Sequence, residues 1–168
     1  VILYAGILSD FAEYDRALQV LKPYREIRDD FGFQCLYISA GILVQKKDYE
    51  GACILYEKLS EEKTAGKLAE ESAYRTCELY FEQALYAEAV SKFEKYIKKY
   101  PAGLFYDDSI YRLGESWKFL GSKDKAIFYF QIAAQKNRKS PYRYASCRNL
   151  IELYTSIHDY EKAILTAE

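Results

Sequence analysis

The sequence predicts an all-α fold, an α-solenoid of about five helix-turn-helix repeats with a period of about 37 residues. Three observations carry this. Apolar residues recur at helical spacing along nearly the whole chain, and the apolar–polar alternation of strands is absent. Glycine and proline are scarce, with 8 and 3 copies in 168 residues, and they sit where helices should end. A small alanine returns near the start of every second helix, at Ala17, Ala52, Ala89, Ala126 and Ala163, with gaps of 35, 37, 37 and 37 residues.

The elements follow from these positions. Four residues after each alanine stand Leu21, Tyr56, Phe93, Phe130 and Ala167, large in all but the last repeat. The first helices carry matching runs: Ser39-Ala40-x-x-Leu43, Thr76-Cys77-x-x-Tyr80, Leu113-Gly114-x-x-Trp117 and Leu150-Ile151-x-x-Tyr154. The small residue lets two helices approach closely, and the large one on the same face fills the space between pairs. Cys77 shares the small-residue slot with Ala40 and Gly114, where a free cysteine acts as a small hydrophobe. Gly121 marks a turn with Ser122 placed to cap the next helix, and Ser140-Pro141 reads as a cap followed by proline at the first helical position. Pro101 closes the helix that ends in "KKY", and Pro23 falls where the second helix of the first repeat should continue. The whole chain, 1–168, reads as one array: 1–32 a partial repeat, 33–69, 70–106 and 107–143 full repeats, and 144–168 a partial fifth.

Composition excludes several function classes. Half the residues are hydrophobic and 29% are charged, so a real core can form. A net charge of -1 gives no basic surplus for nucleic acid and no reason for anionic membrane contact. The run Lys92, Lys95, Lys98, Lys99 interleaves with Phe93, Tyr96 and Ile97, the pattern of an amphipathic second helix with a wet face. No apolar stretch approaches the ~18 to 20 residues of a membrane span. The sequence opens at Val1 and stops at Glu168 within helical patterns, which reads as a segment of a longer protein. Cys35, Cys53, Cys77 and Cys147 form no C-x-x-C pair, and the one histidine, His158, sits in a turn without a Cys or His neighbour. No metal site, cofactor, nucleotide loop or nucleophile–base set is legible, so neither catalysis nor a small-molecule substrate is expected. Buried free thiols lean toward a reducing compartment.

With "IYRLGESW" followed by "AIFYF", and "AYRTCELY" followed by "AVSKF" and Pro101, the chain resembles the tetratricopeptide repeat (TPR) family, whose pattern is W-x2-L-G-x2-Y, then A-x3-F, then P. The resemblance implies a right-handed superhelix in which first helices line a concave groove that takes a peptide or a partner protein. Carried onto this chain, the groove-facing slots are Tyr37, Tyr74, Tyr111 and Arg148; then Ile38, Arg75, Arg112 and Asn149; then Gly41, Glu78, Glu115 and Glu152, with Phe81 and Lys118 further along the face. The expected partner-binding set is Tyr37, Tyr74, Arg75, Glu78, Phe81, Tyr111, Arg112, Glu115, Lys118, Arg148 and Glu152. The same spacing allows a plainer role, since Arg75 with Glu78 and Arg112 with Glu115 are i,i+3 ion pairs. Glu78, Glu115 and Glu152 disfavour an acidic chaperone tail in that groove.

"YPAGLFYDDSIYRLG" and its echo "RKSPYRYAS" are similar to turns of bacterial envelope TPR proteins of the outer-membrane-assembly lipoprotein (BamD) and Tol–Pal coordinator (CpoB) type, with Ser109 where alanine is usual. That resemblance implies a periplasmic setting, whereas four cysteines suit a cytoplasmic one. The expected function is a non-catalytic protein-interaction scaffold in a bacterial envelope assembly. A TPR regulatory or adaptor segment of a larger cytoplasmic protein, or the non-catalytic part of an enzyme, are the alternatives left open.

Overall fold

A computed structural model describes residues 1–136 and 140–167. Among them it holds ten α-helices and no strand. In chain order these are α1 (Ile2–Asp10), α2 (Tyr14–Leu21), α3 (Asp30–Gln45), α4 (Tyr49–Ser60), α5 (Lys67–Glu82), α6 (Tyr86–Lys99), α7 (Tyr106–Phe119), α8 (Lys123–Lys136), α9 (Tyr142–Ser156) and α10 (Tyr160–Ala167). Odd-numbered helices are the first members of pairs and even-numbered ones the second. The chain forms two compact units, Val1–Leu79 and Tyr80–Glu168, divided within the last turn of α5. In the first, α1 packs on α2, α2 on α3 and α3 on α4. In the second, each of α6 to α9 packs on the next.

The alanine slot is where these helices meet. Ala17, Ala52, Ala89, Ala126 and Ala163 are all buried, as are Leu21, Tyr56, Phe93 and Phe130 four residues on. The small-residue slot of the first helices is buried too, at Ala40 and Cys77. At Gly114 the reason is visible. A Cβ there would lie 2.7 Å from the Cδ1 and Cε1 atoms of the Phe130 ring, closer than packed atoms sit. A second small slot recurs at Ser72, Ser109 and Ser146, each fully buried, so Ser109 fills its alanine-like position. Its hydroxyl donates to the Phe105 carbonyl at 2.7 Å, which is how a helix carries a buried serine.

Every first helix ends in the same turn. Ala12, Lys47, Ala84, Gly121 and His158 adopt left-handed backbone, with φ of 58°, 64°, 58°, 75° and 61°. They keep the spacing of the alanines. At Gly121 the amide donates to the Lys118 carbonyl at 3.0 Å, and the next amide, of Ser122, reaches the Trp117 carbonyl at 2.9 Å. His158 and Asp159 repeat this on Thr155 and Tyr154 at 3.1 and 2.9 Å. The closure satisfies carbonyls that the helix end would leave bare. Left-handed backbone costs a non-glycine residue about 1–2 kcal/mol, and four of the five turns bear that cost. Gly121→Ala should therefore lose about 1–2 kcal/mol, since its Cβ would meet nothing within 4 Å and only backbone strain acts. Ala84→Gly should cost nothing. Urea melts giving the two variants equal losses would contradict this.

The prolines stand at helix ends, with small shifts. Pro101 follows the cap of α6, and α2 ends before Pro23, where a short 3-10 turn takes over. Pro141 lies one residue ahead of α9 and not at its first position, while the Ser140 hydroxyl accepts from the Tyr142 amide at 3.3 Å. Arg138 and Lys139, which open the stretch "RKSPYRYAS", lie outside the described residues.

Candidate functional site: the first-helix faces

In the Val1–Leu79 unit, α3 and α5 bring together Tyr37, Glu71, Arg75 and Glu78. Tyr37 donates its hydroxyl to Glu71 Oε1 at 2.6 Å, and its ring meets Tyr56 edge-on at 5.4 Å. Arg75 pairs with Glu78 at 2.8 Å and reaches Glu71 at 3.8 Å. Burial, and then the Glu71 carboxylate, push the Tyr37 phenol up. The Tyr37 oxygen, and then Glu78, hold the Arg75 guanidinium firmly charged.

Tyr74 departs from expectation. The i,i+4 spacing to Glu78 predicts that the two project together, but Tyr74 is only 3% exposed. It stands one turn before Cys77, which is buried in the small-residue slot, so its ring follows Cys77 inward. Tyr74 belongs to the core and leaves the candidate surface. Tyr37 and Tyr111 share that tendency in milder form, since each lays its ring against the aromatic residue that follows the buried alanine by four.

In the Tyr80–Glu168 unit the expected residues gather more densely. The Arg112 guanidinium lies 4.9 Å above the Phe81 ring, pairs with Glu115 at 3.0 Å and reaches Asp108 at 3.7 Å. Tyr111 leans on Phe130 at 5.7 Å and stacks on Tyr142 at 5.2 Å, and Asn149 donates to its hydroxyl at 3.5 Å. Lys118 links α7 to α9 through Asn149 Oδ1 at 2.9 Å and Glu152 Oε2 at 2.7 Å. Arg148 is exposed and makes no ion pair among the described residues. Phe81 also faces Phe119 at 6.2 Å and Tyr86 at 5.5 Å, and the latter two rings stack at 4.5 Å.

Glu71, Asp108, Tyr142 and Phe119 were not among the expected residues. Glu71 carried a usable signal, because it stands one turn before Arg75 and so on the same helix face. Asp108 carried the same signal, four residues before Arg112. Burial raises its carboxyl above the ordinary value, opposed by Tyr142 and then Arg112. A carboxyl raised in the folded state stabilises below its unfolded pKa and loses that contribution as pH rises through the folded value. Asp108→Asn should therefore raise the melting temperature at pH 7, and the gain should vanish as pH falls below the carboxylate range. A gain independent of pH would rule out this titration as its cause.

His158 is exposed in its turn, with Nδ1 at 3.0 Å from the Tyr160 hydroxyl. Among the described residues no group of three His, Cys, Asp or Glu side chains could hold a metal ion, and no helix is long and apolar enough to cross a membrane. Cys35, Cys53 and Cys77 are buried, Cys147 is half-buried, and none of the four forms a disulfide.

These features define a helical-repeat protein whose first helices present paired charges on aromatic rings. Residues 71–102 and 108–140 match the family model of the tetratricopeptide repeat. Solved structures of the same fold include nearly identical TPR-like repeats assigned to kinesin light chain in Podosopora anserina, at 14% identity and TM-score 0.67, covering 99% of this chain and 89% of that one. MamA from Desulfovibrio magneticus RS-1 aligns at 18% identity and TM-score 0.67 over 97% and 86%. BtubC from P. vanneervenii aligns at 13% identity and TM-score 0.70 over 96% and 73%. Among curated proteins none matches the sequence. The chain thus has a TPR-like solenoid fold, and residues 71–102 and 108–140 carry the tetratricopeptide-repeat pattern.

Proposed function

We propose that the chain is a non-catalytic scaffold that holds a peptide or partner protein on its first-helix faces. The observation that supports this best is Arg112, held over the Phe81 ring by Glu115 while still about one-third exposed. Arginine and aromatic side chains dominate interface hot spots, and a pre-positioned guanidinium loses little freedom on binding. In the other unit, Arg75 between Glu71 and Glu78 offers a similar arrangement. The carboxylates beside both arginines disfavour an acidic tail at these faces. Retention of a protein from source-cell extract by the wild-type chain, and its loss by Arg112→Glu, would support this reading. Equal retention by both would remove it.

The spacing shared with envelope TPR proteins favours an assembly role in a bacterial envelope. Four cysteines outside any disulfide favour the second reading, an adaptor segment of a cytoplasmic protein.

A further inference from the structure

In the Tyr80–Glu168 unit, two turn positions break with their counterparts in the other repeats. First helices end on a polar residue at Asp10, Gln45, Glu82 and Ser156, but α7 ends on Phe119. Ahead of α4, Asp48 accepts from the Gly51 amide at 3.0 Å, and ahead of α10, Asp159 accepts from the Lys162 amide at 3.2 Å. Leu85 fills that capping slot ahead of α6, and the helix forgoes the bond. Helix stability therefore explains neither Leu85 nor Phe119. Burial does not explain them either, since Phe119 is 59% exposed, Leu85 41% and the neighbouring Leu120 42%.

Ring contacts gather these turns into one patch. Phe119 stacks on Tyr86, the first residue of α6, and both meet Phe81. Two carboxylates border it, Glu82 next to Phe81 and Glu88 three residues after Leu85 in the first turn of α6. Both are exposed, and neither forms an ion pair among the described residues. The nearby cations are engaged elsewhere. Arg112 lies between Glu115 and Asp108, and Lys118 reaches Glu152 at 2.7 Å. Lys123 donates to the Ser156 carbonyl at 3.3 Å, and Lys92, four residues after Glu88, lies over the Tyr80 ring.

We propose that this turn-edge patch docks a basic protein segment carrying one apolar side chain. The apolar group lies on Leu85, Phe119 and Leu120, and an adjacent arginine or lysine meets Glu82 or Glu88. The two unpaired carboxylates decide the sign of the charge, because an acidic segment would meet like charge at both. The rings favour the same choice. An aromatic face attracts a cation, and this cluster already holds one in that way, with Arg112 over Phe81. The patch borders Phe81 but does not depend on a partner being held at Arg112.

The intact chain is titrated by calorimetry with a short peptide of serine and arginine holding one leucine. Saturable binding is expected, several-fold weaker in high salt and at least tenfold weaker in Phe119→Ser. Leu85→Ser should weaken binding by a similar factor while raising the melting temperature, because serine can cap α6. A lower melting temperature with unchanged affinity would mean that Leu85 serves only the fold, and would overturn the proposal. Arg112→Glu, on the first-helix face, should not weaken this peptide, so the failure of one surface leaves the other standing. Equal or tighter binding of the same peptide with glutamate for arginine would also overturn the proposal, as would no heat at either of two temperatures. Self-association of the chain that Phe119→Ser abolishes would do so too, since the occupant would then be a second copy.

Discussion

Phe130→Ala should lower the unfolding free energy by about 3–5 kcal/mol, the range for removing a fully buried aromatic side chain. Phe130 is completely enclosed and packs with Ala126, Leu150, Leu153 and Tyr154, joining two repeats. Its ring is also what bars a side chain at Gly114. Gly114→Ala alone gains about 1 kcal/mol of helix propensity but over-packs by about 1–3 kcal/mol, so it should destabilise. In the Phe130→Ala background the barrier is gone, and the same change should become neutral or stabilising by up to about 1 kcal/mol. Urea denaturation of the four proteins closes the cycle. Additive losses would mean that the small-residue slot and the aromatic slot are not coupled, and the repeat packing would need another basis.

Arg112→Glu should weaken partner binding by at least about 30-fold, corresponding to the ~2 kcal/mol of a hot-spot residue. Arg112→Lys should give a smaller loss, because an ammonium keeps the charge but not the guanidinium's contact with the Phe81 ring. If the arginine serves only its helix, the pair with Glu115 is worth about 0.2–0.5 kcal/mol and affinity should not change. Calorimetry with the captured partner decides between these, and circular dichroism checks that the variants fold.

The packing skeleton was legible because it depends on volume, which sequence states directly. The alanine period located every second helix, and Gly114 and Cys77 were readable as close-contact positions. Both i,i+3 ion pairs appear where their spacing placed them. The direction of large side chains was less legible. Tyr74 and Tyr111 occupy one slot, yet Tyr74 is buried and Tyr111 only half so, and Tyr74→Ala would damage the core and not report on binding. A tyrosine suits either place, since its ring packs and its hydroxyl needs only one partner. The left-handed turns were hidden for a different reason. Glycine marks only Gly121, and at Lys47 or His158 the turn's two backbone hydrogen bonds impose the conformation.

The assignment of the first-helix faces as the binding surface is tested most directly by amide hydrogen exchange, with and without the captured partner. Slowed exchange concentrated on α3, α5, α7 and α9, around Arg75 and Arg112, is the expected result. Unchanged exchange on those helices at saturating partner would contradict the assignment.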